Sequence, residues 1–266
     1  MIHPTAVIHP HAQIEATVCV GPFAVIDEHV SVGPHCRIDS HVHLTGHTSI
    51  GSNNCFHTGC VIGDTPQDLK YHDEPTRLVI GDNNVFREHV TVHRSNHLNE
   101  ATVIGHSNFL MVDSHVGHNS RLGSRIIIAN GALLGGHVSV DDRAFISGNC
   151  VVHQFVRIGV FALMQGGAGI SQDLPPYTVA CGDNSICGLN TLGLRRGGFT
   201  SEQRLELKRL YHALFRRGVN LRQALADAQL RFSSPTARTM LEFIASSKRG
   251  VCRDAGAHDG IPAETP

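Results

Sequence analysis

Three of the 20 histidines in this chain lie in short motifs whose residue types could do proton-transfer chemistry. His115 and His118 belong to DSHVGH, and His137 belongs to LLGGHVSVDD, 19 residues after His118. An imidazole changes charge near neutral pH, so it can accept a proton from a hydroxyl or amine nucleophile without large pKa tuning. The motifs therefore indicate general-base chemistry, provided that the fold brings these side chains together.

The elements that must position them repeat every six residues. From Ile2 to Ile62 every sixth residue is apolar, and chance produces such a run with a probability on the order of 10⁻⁴ or less. This period fits neither an amphipathic helix nor simple strand alternation. It is typical of a triangular parallel β-helix, in which three six-residue units make a coil of about 18 residues. His118 and His137 are then expected on adjacent coils.

The repeat is interrupted twice. It breaks at 64–77, returns briefly, breaks again at 94–102, and then runs in register from Ile104 to Ile170. The hexads predict about eight or nine coils. Both breaks are expected to be loops that leave the prism, and such loops commonly carry function.

The β-helical domain is assigned to residues 1–189. Its regular ladder is expected to end at Pro175-Pro176, because proline has no N–H to donate to a ladder. Residues 190–250 are expected to form a small helical domain, and the polar residues 251–266 a disordered tail.

Helix signals recur in the C-terminal domain. Thr200 with Gln203 resembles a capping box. Asn220 is expected to begin a second helix, and Ser234-Pro235 a third.

The net charge of −1 conceals an uneven distribution. Residues 1–189 contain 9 Lys+Arg against 16 Asp+Glu, whereas residues 190–266 contain 13 against 7. The basic C-terminal part suits an acidic partner. No sequence feature indicates a nucleic-acid partner.

The sequence also favours a cytoplasmic protein without stable membrane insertion. No apolar run approaches the roughly 18 residues of a membrane span, and the N-terminus lacks the features of a signal peptide. The eight cysteines include no C-x-x-C pair and are expected to be reduced thiols, most of them in the core.

Several motifs together resemble the UDP-N-acetylglucosamine acyltransferase family of lipid A biosynthesis. They are the hexads, QDLKYHDEPTR at 67–77, HVGH, GGHVSVDD, VVHQF, QDLPPY and the helical C-terminal part. The resemblance covers about residues 1–250 and implies a left-handed parallel β-helix assembled as a homotrimer. It also implies transfer of a (3-hydroxy)acyl chain from acyl carrier protein to the 3-position of UDP-N-acetylglucosamine, with no other cofactor and no metal.

The resemblance also assigns roles to individual residues. His118 matches the family's general base, and Gly136 matches the backbone N–H donor of the oxyanion hole. Gly166 matches a position that limits acyl-chain length, although a tight corner would also explain a glycine there. The positions that match contacts to the nucleotide sugar or the acyl group are Gln67, Asp68, Lys70, His93, His115, His137, His153, Gln154, Asn190 and Arg196.

Three positions depart from the family pattern. Asn119 stands where the family often has aspartate after the catalytic histidine, and an amide can orient an imidazole but cannot offset its positive charge. Leu192 and Gly197 stand where acidic and basic residues are expected near the nucleotide. The nucleotide contacts are therefore expected to be rearranged.

Other functions remain open from the residues alone. They are an acetyl-coenzyme A-dependent hexapeptide acetyltransferase, the later N-acyltransferase of the same pathway, a zinc protein like the gamma-class carbonic anhydrases, and a purely structural solenoid. The N-acyltransferase usually has a domain before its hexads, whereas here the hexads begin at Ile2. One base and one oxyanion donor serve a hydroxyl and an amine acceptor equally.

Overall fold

Three parallel sheets form the sides of a left-handed β-helix in the computed structural model, which describes residues 1–256. The chain visits the sheets in turn, so that as far as Ala180 each strand pairs in parallel with a strand one coil away, as Val7–Ile8 does with Val25–Ile26. Sheet I consists of Val7–Ile8, Val25–Ile26, His43–Leu44, Val61–Asp64, Thr91–His93, His115–Val116, Leu133–Leu134, Val151–Val152 and Gly169–Ile170. Sheet II consists of Gln13–Ile14, Val30–Val32, His47–Ile50, Arg77–Ile80, Ala101–Ile104, Arg121–Leu122, Ser139–Val140 and Arg157–Ile158. Sheet III consists of Cys19–Val20, Arg37–Ile38, Cys55–Phe56, Val85–Phe86, Phe109–Leu110, Ile127–Ile128, Phe145–Ile146, Leu163–Met164, Thr178–Ala180, Ser185–Leu189 and Arg253–Asp254.

The apolar residues of the hexads fill the interior of the prism. Ile26, Leu44 and Phe56 are completely buried, and Phe56 stacks on Phe86 with ring centroids 4.7 Å apart. Burial of each large side chain contributes about 1.5–3 kcal/mol. Ile2 is 54% exposed because no coil lies beyond the first one. The predicted β-helix is thus confirmed.

The corners of the prism use left-handed backbone conformations at six-residue intervals. Asn119, His137 and Phe155 follow one another at the same corner on successive coils, with φ of 59°, 58° and 66°. Asparagine and histidine tolerate this region better than most residues do. The corner brings the DSHVGH and GGHVSVDD motifs together, as the spacing predicted.

The two interruptions form loops at 65–76 and 94–100 that contact each other. Asn96 donates a hydrogen bond of 2.7 Å to Asp68, and the Arg94 guanidinium lies over the Tyr71 ring, 5.5 Å from its centroid. Arg94 also donates to the backbone carbonyl of Gly63. These contacts hold both loops beside the same coils.

Pro175-Pro176 do not end the ladder, contrary to the prediction. Thr178–Ala180 continues sheet III in parallel with Leu163–Met164, and Ser185–Leu189 then adds to it in antiparallel orientation. The prolines occupy the corner before this strand, where their missing N–H groups cost the ladder little. The N–H of Tyr177 resumes hydrogen bonding by donating to Val160.

Four helices follow within the described residues: α1 Thr191–Arg196, α2 Ser201–Phe215, α3 Leu221–Arg231 and α4 Pro235–Ala245. The predicted capping box of Thr200 and Gln203 is present at α2, and Asn220 and Ser234 cap α3 and α4. The short helix α1, capped by Asn190, was not predicted as a separate element. None of these helices is long and apolar enough to cross a bilayer.

The predicted tail at 251–266 is wrong in its first residues. Val251 and Cys252 are buried, and Arg253–Asp254 pairs in parallel with Ser185–Leu189. The buried Asp254 carboxylate accepts hydrogen bonds from the Tyr211 hydroxyl and, at 3.0 Å, from the Arg216 guanidinium. This contact ties the end of the chain to α2, and residues 257–266 lie outside the described part.

Candidate active site

A groove of about 710 Å³ runs along sheet I across several coils, beginning beside Gln67 of the first loop. One end is polar and carries Gln67, His93, His115 and His118. Further along, its wall includes the exposed side chains of Leu133 and Val151, and it continues to Ser171, Asp183 and Asn184. An elongated groove with a polar end and an apolar wall can hold a polar reactive group and an extended hydrocarbon chain.

The tautomer of His118 is set by Asn119. The Asn119 Oδ1 atom lies 2.8 Å from His118 Nδ1 and also accepts a hydrogen bond of 3.0 Å from the backbone N–H of Asn96. The Asn119 Nδ2 atom donates to the Glu100 carboxylate at 2.7 Å. Since an N–H on one side and a carboxylate on the other fix the amide orientation, His118 Nδ1 must donate. In the neutral ring this leaves the lone pair on Nε2, where a general base needs it.

Gly136 lies against His118 Nε2, one coil further along. A Cβ atom at position 136 would be 2.6 Å from Nε2, so only glycine leaves the imidazole in place. The backbone N–H of Gly136 has no acceptor among residues 1–256. The free base atom of His118 and an unused N–H donor therefore lie side by side.

His93 and His115 form the polar end of the groove, with ring centroids 4.9 Å apart. Burial lowers the pKa of His115 to about 4, and the neighbouring His93 and His118 contribute to this lowering. Burial also lowers the pKa of His93. Both are neutral at physiological pH, and the Nδ1 atom of His93 is buried without a hydrogen-bond partner in the described part of the chain. These rings can therefore hydrogen-bond a neutral polar ligand.

His137 packs beside the site but does not line the groove. Its ring is edge-on to His118 at 5.2 Å and stacks on Phe155 at 4.5 Å. Burial and the nearby His118 lower the pKa of His137. A neutral ring in this position packs as an apolar support against the His118 imidazole.

The three first-loop residues predicted to contact substrate, Gln67, Asp68 and Lys70, lie at different positions relative to the groove. Gln67 lines the groove, whereas the exposed Lys70 does not. Asp68 accepts hydrogen bonds from the Lys70 N–H and the Asn96 amide, which lower its pKa. Its carboxylate is therefore ionised and held towards the second loop.

His153 and Gln154 line the groove one coil beyond Gly135 and Gly136. His153 Nδ1 lies 3.1 Å from the carbonyl oxygen of Gln154 and 3.4 Å from the Arg249 guanidinium. The region around Arg249, at the end of the helical domain, thus reaches the groove.

Asn190 and Arg196 lie away from the groove within one chain. The Asn190 amide caps α1 by accepting from the Gly193 N–H, and it donates to the carbonyl of Phe161, both at 2.9 Å. Arg196 lies exposed in the last turn of α1, and Leu192 is exposed in its first turn. At Gly197 a Cβ would meet the Phe161 ring at 2.5 Å, which gives this departure from the family pattern a packing reason.

Gly166 lies at the corner between sheets III and I. A Cβ there would contact only the Gly148 carbonyl oxygen, at 3.6 Å, so the position opens onto free space. The left-handed conformation at this corner belongs to Gly167, with φ of 73°. Gly166 is therefore not required by the turn, and its role remains a prediction.

The sequence motifs did not reveal the second-loop residues that hold Asn119. Besides Asn96 and Glu100, the hydroxyl of Ser95 in this loop accepts from the Asn119 amide. The Thr102 hydroxyl, on the strand that follows the loop, accepts from the Asn119 N–H. The break in the hexads marked this loop, but the repeat carries no information on which loop residue meets the corner. Asp183 and Asn184 at the far end of the groove were also missed.

Comparison with known proteins gives a consistent result. A family profile described as "Udp N-acetylglucosamine O-acyltransferase; Domain 2" matches residues 173–252. The chain is 46% identical over 255 residues to the acyl-[acyl-carrier-protein]–UDP-N-acetylglucosamine O-acyltransferase of Myxococcus xanthus, covering 95% of this chain and 99% of the relative. It is 43% identical over 257 residues to the protein of that name from Neisseria meningitidis, with the same coverage.

A solved structure agrees with these sequence matches. The UDP-N-acetylglucosamine acyltransferase of Francisella novicida superimposes with a TM-score of 0.93 at 36% identity, covering 97% of this chain and 95% of that one. Similarity of this extent involves the β-helix, both loops and the helical domain together. The chain therefore belongs to the acyl-[acyl-carrier-protein]–UDP-N-acetylglucosamine O-acyltransferase family.

Proposed function

We propose that this protein transfers a (3-hydroxy)acyl chain from acyl carrier protein to the 3-hydroxyl of UDP-N-acetylglucosamine, the first step of lipid A biosynthesis. The observation that carries the proposal is the pairing of His118 with Gly136. His118 donates from Nδ1 to Asn119, which leaves Nε2 unprotonated beside the unused N–H of Gly136. The choice of an oxygen acceptor follows the activity named for the relatives.

The proposed reaction uses this pair in two steps. His118 Nε2 takes the proton of the sugar hydroxyl as the oxygen attacks the thioester carbonyl. The oxyanion of the tetrahedral intermediate accepts a hydrogen bond from the Gly136 N–H. The intermediate then expels the carrier thiolate, which receives the proton from His118, and the products are the sugar ester and the free carrier thiol.

The remaining site residues are assigned to substrate binding. The neutral rings of His93 and His115, with Gln67, are suited to the sugar at the polar end of the groove. Asp68, Lys70, His137, His153 and Gln154 are also proposed to contact the sugar or the acyl group. Of these, His153 and Gln154 line the groove of a single chain, whereas Asp68, Lys70 and His137 do not. Asn190 and Arg196 are assigned to the nucleotide, and they reach it only if a second copy of the chain supplies them.

The assembly is proposed to be a homotrimer. Outward-facing residues of sheet III are apolar over several coils: Val85, Phe109, Ile127, Phe145 and Leu163. Sheet I exposes Leu133 and Val151, whereas sheet II presents mostly polar side chains such as Ser49, Arg121 and Ser139. Two different apolar faces on each chain favour a closed ring of head-to-tail contacts, and three copies make the smallest such ring beyond a dimer.

The carrier protein is proposed to dock on the basic helical domain, and the compartment is proposed to be the cytoplasm. Arg204, Lys208 and Arg216 line a cavity of about 430 Å³ between α2 and the strand Ser185–Leu189 of sheet III. All eight cysteines are free thiols, which agrees with a reducing compartment. Acyl carrier protein is the proposed acyl donor, and no further cofactor is proposed.

The test of the proposal is His118→Ala assayed with an acyl carrier protein thioester and UDP-N-acetylglucosamine. Loss of a general base lowers kcat by about 10² to 10⁴-fold. His11→Ala, which changes an exposed histidine of the first coil, is the matched control and should retain activity. A folded His118→Ala protein with more than about a third of the wild-type kcat would contradict the assignment.

A further inference from the structure

The Asn119 side chain connects His118 to a carboxylate. The side chain is buried, with the residue 5% exposed, and its amide hydrogen-bonds His118 on one side and Glu100 on the other. Glu100 belongs to the loop at 94–100, so it comes from outside the regular coils. A carboxylate, an amide and an imidazole thus lie in one hydrogen-bonded row.

This row supplies what a lone asparagine lacks. An amide next to an imidazole fixes the tautomer but carries no charge to stabilise the imidazolium that forms when His118 accepts a proton. A carboxylate that accepts from Nδ2 polarises the amide and increases the negative partial charge on Oδ1, since hydrogen bonds in a row strengthen one another. The negative charge of Glu100 therefore acts on His118 through Asn119, one residue further away than an aspartate at position 119 would be.

We infer that Glu100 is a positioning residue for His118, acting through Asn119 to orient the base and to stabilise its protonated form. This inference rests on the proposed function for its kinetic consequences, but the coupling of Glu100 to His118 does not. The second loop then has a defined role, because it delivers a carboxylate to the catalytic corner.

Other charged and titratable groups face the same imidazole. They are Asp68 from the first loop and His93, His115 and His137 from neighbouring coils, and next to these groups lie Lys70, Arg94 and His97. A single isosteric change at Glu100 leaves all of them in place. Differences between the wild type and this variant then report the effect of the Glu100 charge alone.

The experiment uses Glu100→Gln, which keeps an oxygen that can accept from Asn119 and removes the charge. NMR titration of His118 should give a midpoint lower by about half a pH unit than in the wild type. In the pH profile of kcat/KM, the acid limb should move to lower pH by a similar amount. We also expect kcat to fall by about tenfold with KM nearly unchanged. Glu28→Gln is the matched control, because Glu28 pairs with His11 at 2.9 Å in the first coils.

The swap Glu100→Gln with Asn119→Asp provides the rescue. It returns the carboxylate to the row and puts it in direct contact with His118, so the midpoint and kcat should recover towards the wild-type values. An unchanged titration midpoint of His118 in Glu100→Gln overturns the inference. A fall in kcat also overturns it if the acid limb of the pH profile of kcat/KM does not move, or if the double variant does not restore kcat. If the wild type shows no acyl transfer but the midpoint moves, the proposed function fails while the coupling stands.

Discussion

At the scale of single residues, position 136 must be glycine because any side chain there would collide with the His118 imidazole. Its own φ is not in the left-handed region, so the backbone does not demand glycine. The demand comes from His118 Nε2, 2.6 Å from the position of a Cβ. One residue therefore provides both the proposed oxyanion donor and the space for the base.

Gly136→Ala is expected to displace the imidazole and to lower kcat by about 10²-fold, because both the base and the N–H donor shift. Gly148→Ala is the control. Gly148 lies at the equivalent position of the corner between sheets III and I, next to Gly166 and away from His118, and a Cβ there would meet only the Asn130 carbonyl oxygen, at 3.3 Å. Both variants are therefore compared with a single thioester of short acyl chain. Steady-state kinetics on both folded variants check the prediction, and equal activities would argue against it.

At the scale of elements, the corners of the prism differ in what they carry. The corner between sheets I and II carries Asn119, His137 and Phe155, whereas the corner between sheets III and I carries Gly166 and Gly167. Gly169, shortly after Gly166, lines the groove. Gly166 itself does not line the groove of a single chain, and the proposal that it limits an acyl chain lying along the groove rests on its position at the corner next to Gly169.

Gly166→Met is expected to shorten the preferred acyl chain. Loss of contact with four methylenes at roughly 0.8 kcal/mol each removes about 3 kcal/mol, or on the order of a hundredfold in preference for a long chain. The measurement is kcat/KM for a series of acyl carrier protein thioesters of different lengths. A folded, active variant with the wild-type length profile would exclude Gly166 as the limit.

At the scale of the whole molecule, the two kinds of surface differ in chemistry. The prism has apolar outer faces on sheet III and part of sheet I, and the helical domain carries most of the basic residues. The apolar faces suit further copies of the chain, and the basic domain suits an acidic partner.

Light scattering should give a mass three times that of the 28.8 kDa chain. Phe145→Glu puts a charge on the apolar face of sheet III and should release monomers, because burying an unpaired carboxylate is costly. Ser139→Glu on sheet II is the control and should leave the assembly intact. A monomeric wild type would refute the trimer.

Binding of acyl carrier protein should weaken by about tenfold between low and high salt, since exposed charges are screened within about 8 Å at physiological ionic strength. Lys208→Glu on α2 should reduce the affinity, whereas Arg121→Glu on sheet II should not. Calorimetric titration at two salt concentrations measures both effects. Affinity that does not depend on salt would count against docking on this domain.

The sequence by itself determined the β-helix, its two loops and the helix caps. These features follow from local patterns: a six-residue period that buries one residue in each unit, and capping residues that act within a few positions. It also predicted that the motifs containing His118 and Gly136 meet, because a coil of about 18 residues separates them, and the two residues do lie against each other. The roles of all the site residues, His118 and Gly136 included, remain predictions.

Only the tertiary structure decided which residues of the loops and of the C-terminal segment contact the β-helix. Glu100 reaches Asn119 because the second loop folds over a particular corner, and Arg253–Asp254 joins a sheet edge left open by Ser185–Leu189. Both contacts join residues from separate segments, and no local pattern in the chain encodes them. The hexads predicted the corner at which the candidate site lies. The carboxylate of Glu100 comes from a loop that does not follow the repeat, so the hexads could not predict it.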